Sequence, residues 1–162
     1  MRIFIKSRES IEKISKNPFP KNTLLISITD VGEAPVQLAN EPDMLFRVAF
    51  DDVDNDVIVD EIGADATNDE RLKIEEKYNM ISSDQAHEIA KVYYENKDRI
   101  TTLICQCEHG QSRSAAVASA ILEFKSRRGI QIFADDRYYP NKVVFRRALE
   151  ALKDQIPVYE YS

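Results

Sequence analysis

The chain is poor in the residues that most often announce a role. Two of its 162 residues are cysteine and two are histidine, and no apolar run approaches the ~20 residues of a membrane span. Cys105 and Cys107 are too few for a disulfide framework. Two residues apart on an extended strand lie ~6.6 Å apart on one face, a poor geometry for a bond between them. A reducing, cytoplasmic setting is therefore expected. Metal ligands are equally scarce. Cys105, Cys107 and His109 offer three at most, and His87 lies in a predicted helix with no Cys or His beside it, so no metal is expected. Met1 leads into Arg2–Lys6, too short an apolar stretch for a signal peptide.

Basic charge is also lacking where a nucleic acid would need it. The chain carries −6, and Asp51 to Glu76 holds eleven acids against Arg71 and Lys73, a net of −9, so the remainder is +3. No basic stripe is evident, and the acidic stretch would repel phosphate backbones, so nucleic acid is disfavoured as a partner. What is present is an ordinary globular composition, 43% hydrophobic and 31% charged, at a length suited to a single domain over 1–162. There is no internal repeat or low-complexity tract.

Strands are expected at Arg2–Lys6, Thr23–Thr29, Met44–Phe50 and Ile100–Gln106, from β-branched and apolar runs bounded by polar or turn residues. Helices are expected at Ser7–Lys16, from the Ser82/Gln85 capping box to about Asp98, at Ala115–Arg127 before Gly129, and from Asn141 to about Lys153. Asp30–Pro42 reads as loop. The stretch 51–80 is acidic and weakly patterned; it reads as a mobile insertion with one short helix near Asn68–Tyr78. Strands alternating with helices predict an α/β sandwich with a mostly parallel central sheet flanked by helices.

Chemistry concentrates in Cys107-Glu108-His109-Gly110-Gln111-Ser112-Arg113-Ser114, between a buried-type strand and a helix start. Such a loop is an anion cradle, with backbone N–H groups and the helix dipole supplying positive potential. Gly110 permits the unusual dihedral the loop needs. Arg113 can offer a planar fork to two phosphate oxygens. In that field Cys107 is expected as a thiolate, a nucleophile near neutral pH.

These residues resemble the signature loop of the cysteine-dependent protein tyrosine phosphatases, Cys, five residues, Arg, then Ser or Thr. The arrangement is most similar to the small dual-specificity-like members of bacterial and phage type. Phe50-Asp51-Asp52 and Tyr139-Pro140-Asn141 extend the likeness. The resemblance implies a phosphatase-like single domain, a phosphorylated protein or peptide as partner, and no cofactor, metal or membrane. It implies hydrolysis of phosphotyrosine, with dual specificity open, through a cysteinyl-phosphate. Cys107 would attack phosphorus, Arg113 and residues Glu108 to Ser112 would hold the phosphoryl oxygens, and Ser114 would assist the thiolate as a leaving group. An Asp would act as general acid; Asp52 is favoured by the Phe-Asp-Asp sequence, with Asp51, Asp54 and Asp30 as alternatives. Two features depart from the pattern. Gln106 stands where the family usually has His, and the loop holds Glu108 rather than the lysines typical of inositol-lipid members, which disfavours a highly phosphorylated inositol ring.

Two rivals stand beside this reading: a catalytically weak phospho-binding module, and a rhodanese-like sulfurtransferase, whose arginine commonly falls one residue earlier. Blander roles are expected elsewhere. Cys105 reads as a core residue, His87 as helix surface, Tyr138-Tyr139 as hinge packing, and Arg146 and Arg147 as a solvated helix face, with support of the phosphate loop by one of them the alternative.

Overall fold

Four apolar segments pair into one fully parallel sheet: β1 (Arg2–Lys6), β2 (Thr23–Thr29), β3 (Met44–Ala49) and β4 (Thr102–Gln106), in the spatial order β1-β4-β2-β3. The computed structural model describes residues 1–158; the last four residues of the expected domain, 159–162, lie outside it. Register is fixed by pairs such as Ile5 with Cys105 and Ile26 with Cys105, so β1 and β2 flank β4 and its C-terminal end opens at the sheet's centre.

The strand period of two divides side chains between two cores. Leu24, Ile26 and Ile28 of β2 and Leu103 and Cys105 of β4 face the larger one, while Leu25 and Ile104 face the smaller. All seven residues of β2 are buried, as a central parallel strand requires. Each fully buried Leu or Ile contributes roughly 1.5–3 kcal/mol of transfer free energy. On the larger face lie α4 (Ser83–Asn96), α5 (Arg113–Ser126) and α7 (Lys142–Asp154); on the smaller, α1 (Arg8–Ile14) through Ile11, with Val36 from the loop between β2 and β3. Residues 113–121 of α5 are all buried, and their small size lets the helix lie close to the sheet. Among the described residues no helix is long and apolar enough to cross a membrane.

Several expectations are corrected. The acidic stretch holds two helices, α2 (Asn55–Ile62) and α3 (Asn68–Lys77), where one was expected. The run Val57-Ile58-Val59 disguises α2, which Asp54 caps and which buries Ile58. A capping box between Thr67 and Glu70 starts α3. Glu75 of α3 pairs with Arg147 of α7 at 2.6 Å, and Arg147 also donates to the Ile81 carbonyl. Arg147 therefore fastens this segment to the core; it is only partly exposed and is not engaged with the Cys107–Ser114 loop. Helix α5 runs Arg113–Ser126, and its C-cap, Arg127, takes the left-handed conformation itself (φ 57°). Gly129 instead permits close approach, since a Cβ there would lie 2.7 Å from the Ser119 carbonyl. A four-residue helix, α6 (Ile130–Phe133), is too short to show a period in the sequence; its Phe133 meets Phe145 edge-on at 5.0 Å.

Candidate active site

The loop Cys107–Ser114 leaves the end of β4 and is shaped chiefly by main-chain contacts with the β1–α1 junction. Cys107 N donates to Lys6 O at 3.2 Å, and Arg8 N donates to Glu108 O at 3.1 Å. Gly110 turns the chain with φ 67°, and a Cβ there would come within 2.7 Å of both Lys6 C and Ser7 N. No other residue type combines that dihedral with that approach. The Arg8 side chain adds an ion pair to Glu108 at 2.8 Å and a hydrogen bond to the Ala34 carbonyl at 2.6 Å. The Glu108 hydrogen bond is the main cause of an upward shift in the Arg8 pKa.

Gln106 has a definite structural use. Its Nε2 donates to the Cys107 carbonyl at 2.9 Å, and its Oε1 accepts from Ser27 Oγ at 2.5 Å. The side chain is buried, so it braces the Cys107 main chain against β2. Cys105 is fully buried, and burial, followed by the proximity of Cys107, drives its thiol pKa well above the ordinary range. It is a core residue, as expected.

Cys107 itself is buried, with Sγ 3.1 Å from Ser114 Oγ. Helix α5 begins one residue earlier, and no side chain caps its N-terminus; Ser112 Oγ turns away to donate to Asp52 Oδ1 at 2.7 Å. The first-turn N–H groups are thus left without a side-chain acceptor, the arrangement that favours an anion. Arg113 is only 4% exposed. Its Nη1 forms an ion pair with Asp30 Oδ1 at 2.6 Å and donates to the Phe50 carbonyl at 2.7 Å. Its Nε is the one buried side-chain nitrogen or oxygen without a partner among the described residues. A buried guanidinium with an orphaned donor is costly unless something else supplies the acceptor.

The four candidate acids fall into four different environments. Asp54 caps α2, accepting from Asn55 N at 2.6 Å. Asp51 accepts from Val31 N at 2.9 Å and Asn79 Nδ2 at 3.3 Å, bridging two loops. Asp30 is occupied by Arg113. Asp52, exposed, accepts through Oδ1 alone, from Ser112 and from Asn141 Nδ2 at 3.0 Å, leaving Oδ2 without a hydrogen bond among the described residues. Asp30, Asp51, Asp52, Glu108, His109 and Arg113 line one open cleft of about 420 Å³. Gln111 is exposed beside it.

Neither the sequence nor its motifs disclosed Asn141's full part. Read there as a helix cap, it does cap α7 by accepting from Val144 N, but its Nδ2 also donates to Asp52 and to the Val53 carbonyl at 3.0 Å. Its own N–H reaches Ser112 O at 3.3 Å. One buried residue therefore joins the last helix, the signature loop and the Asp52 loop. The paired tyrosines divide: Tyr138 packs on the core, but Tyr139 is 72% exposed, with its N–H on Gln111 O, so hinge packing describes only the first.

With this geometry in place, comparison with solved structures is informative. Human DUSP28 aligns over 99% of this chain and 95% of its own, at 14% identity and a TM-score of 0.53. The fold is that of the dual-specificity phosphatases. A mouse dual-specificity phosphatase solved with zinc tungstate aligns over 94% of this chain and 82% of its own, at 15% identity and TM-score 0.52. PTPMT1 in complex with PI(5)P aligns over 94% and 91%, at 12% identity and TM-score 0.52. No sequence-family model and no curated protein sequence matches the chain. At 12–15% identity the likeness to these structures is one of fold.

Proposed function

We propose that the protein is a cysteine-dependent phosphomonoesterase acting on phosphotyrosine in proteins or peptides, with dual specificity open. The observation that carries this reading is the orphaned, buried Nε of Arg113 at the uncapped start of α5, in the same loop as Cys107. A phosphoryl group supplies the acceptors that this cradle lacks. The named activities of the structural neighbours support the same class.

In the first step the Cys107 thiolate attacks phosphorus, and the bond to the leaving oxygen breaks as the S–P bond forms. Arg113 and the loop N–H groups hold the equatorial oxygens, stabilising charge where it develops. Asp52, in its protonated form, gives its proton to the leaving oxygen. Ser112 and Asn141 hold its Oδ1, so Oδ2 is the oxygen left for that transfer. In the second step water attacks phosphorus and passes a proton to the Asp52 carboxylate. The S–P bond breaks, and the Ser114 hydroxyl, 3.1 Å from Sγ, donates to the departing thiolate. Glu108, His109, Gly110, Gln111 and Ser112 provide the loop that encloses the phosphate. Every step uses this chain's own residues.

The test is hydrolysis of para-nitrophenyl phosphate between pH 5 and 7 in EDTA. Wild type is expected to turn over, Cys107→Ser to lose turnover while still binding tungstate, and Arg113→Ala to lose both. Folded, reduced wild-type protein that binds a phosphotyrosyl peptide without hydrolysing it would replace this reading with that of a phospho-binding module. Parallel phosphotyrosyl and phosphoseryl peptides decide specificity.

A further inference from the structure

We infer that this cleft selects phosphomonoesters flanked by cationic groups, a phosphopeptide with lysine or arginine beside its phosphoresidue. The inference deepens the phosphatase reading and rests on it. A phosphate site is ordinarily expected to be ringed by positive charge, yet here five carboxylates line or border the cleft: Asp30, Glu33, Asp51, Asp52 and Glu108.

Their charges are unequally compensated. Asp30 is paired with Arg113 and Glu108 with Arg8. Asp51 and Asp52 are oriented only by neutral donors, which fix a carboxylate without cancelling its charge. The exposed Glu33 carboxylate makes no hydrogen bond or close ion pair among the described residues, and feels Arg8, which Glu108 already pairs, only at longer range. Inside this rim, the independent sign of a ligand is Arg113, buried and with Nε unpaired. A phosphoryl group that engages Arg113 also draws on the cation that Asp30 now uses. Occupancy therefore sharpens the contrast between a positive floor and a negative mouth.

That contrast sorts substrates by what surrounds the phosphate. One phosphoryl group reaches the floor, but a second phosphate or acidic flanking residues must sit among unbalanced carboxylates. Lysine or arginine side chains find partners there. The rim is solvent-exposed, so its influence should fade when the screening length, ~8 Å at physiological ionic strength, is shortened by salt. The net −9 of residues 51–76 adds a longer-range field of the same sign.

The experiment compares two phosphotyrosyl peptides identical except for lysine or glutamate on either side of the phosphoresidue, with their unphosphorylated forms as controls. kcat/KM is measured on wild type, and Kd on Cys107→Ser. The lysine peptide should be favoured by about tenfold or more at low ionic strength, falling to about twofold in 0.5 M salt. Glu33→Lys should narrow the ratio severalfold, and Glu33→Gln should narrow it less. Equal treatment of the two peptides, or preference for the glutamate peptide, in both turnover and binding would overturn the inference while leaving the phosphatase reading intact. Absence of turnover, with tight phosphate-dependent binding of the lysine peptide, would overturn hydrolysis and uphold the selectivity.

Discussion

The signature loop and the acidic segment meet at Asp52, 2.7 Å from Ser112, yet they are held by different forces. The loop is clamped by main chain: Lys6 O on Cys107 N, Arg8 N on Glu108 O, and the bare backbone of Gly110 against Lys6 and Ser7. The acidic segment is held by the core packing of Ile58, Ile62 and Ile74 and by polar side chains, Arg147 on Glu75, Arg71 on Asn55, and Lys77 and Tyr78 on Glu61. Backbone clamps resist salt and tolerate little change in shape. Side-chain ion pairs are weaker and screened, and they allow the segment to differ in sequence without disturbing the loop.

The largest break in this comparison should come at Gly110. Gly110→Ala brings a Cβ to 2.7 Å from two backbone atoms at a positive φ, so the loop must move. Strain of about 1–3 kcal/mol is expected from the dihedral alone. Loss of even one oxyanion donor costs about 10²–10³ in kcat, and displacement of the loop should cost at least that for para-nitrophenyl phosphate. Activity close to wild type would mean that backbone packing does not shape the cradle.

Next in size is the junction itself. Asn141→Ala removes the α7 cap, worth about 1 kcal/mol, and takes away one of the two donors that hold the Asp52 carboxylate. Turnover of aryl phosphates with poor leaving groups should fall by about tenfold, and that with good leaving groups by much less. Asp52→Asn should show the same asymmetry more strongly. Equal losses for both leaving groups would place the general acid elsewhere.

A smaller effect is expected from Arg147→Ala, which unfastens the acidic segment alone. Both partners are partly buried, 21% and 19% exposed, and unfolding free energy should drop by about 1–3 kcal/mol. The wild-type advantage should shrink in high salt, with kcat on para-nitrophenyl phosphate changing little. A matching collapse of kcat would show that the loop depends on the segment after all.

The subtlest effect involves His87, at the start of α4. Its Nδ1 lies 2.7 Å from the Ser83 carbonyl and its Nε2 3.0 Å from Asp154, contacts that favour the protonated ring and raise its pKa, the Ser83 bond foremost. A raised folded-state pKa stabilises the fold below the unfolded value near 6.5, and that contribution is lost as pH rises through the folded value. The Tm difference between wild type and His87→Gln should therefore be present at pH 5.5 and vanish by pH 8, and it should be small because the site is exposed. A difference that grows with pH would contradict the assignment.

What the sequence made legible follows the same division. The four strands, the Ser82 and Asn141 caps and the Cys107–Ser114 loop are local signals, carried by adjacent residues and their spacing, and they recur in the structure. Helix α2 was hidden because β-branched Val57, Ile58 and Val59 argue locally against a helix that burial of Ile58 supports. The clamps on the loop were hidden because they join distant parts of the chain. Arg8 lies 100 residues from Glu108, and Asn141 lies 89 from Asp52. Asp30 was visible only as one possible acid; its contact with Arg113 depends on β2 and β4 being neighbours, which no local pattern states.

The most direct measurement is of the covalent intermediate. Asp52→Asn, supplied with an aryl phosphate of good leaving group, should form the cysteinyl-phosphate faster than it hydrolyses it. Rapid acid quench, digestion and mass spectrometry should then find a phosphoryl adduct on the peptide containing Cys107, absent from Cys107→Ser. Steady turnover with phosphorus on another residue, or on none, would contradict the account.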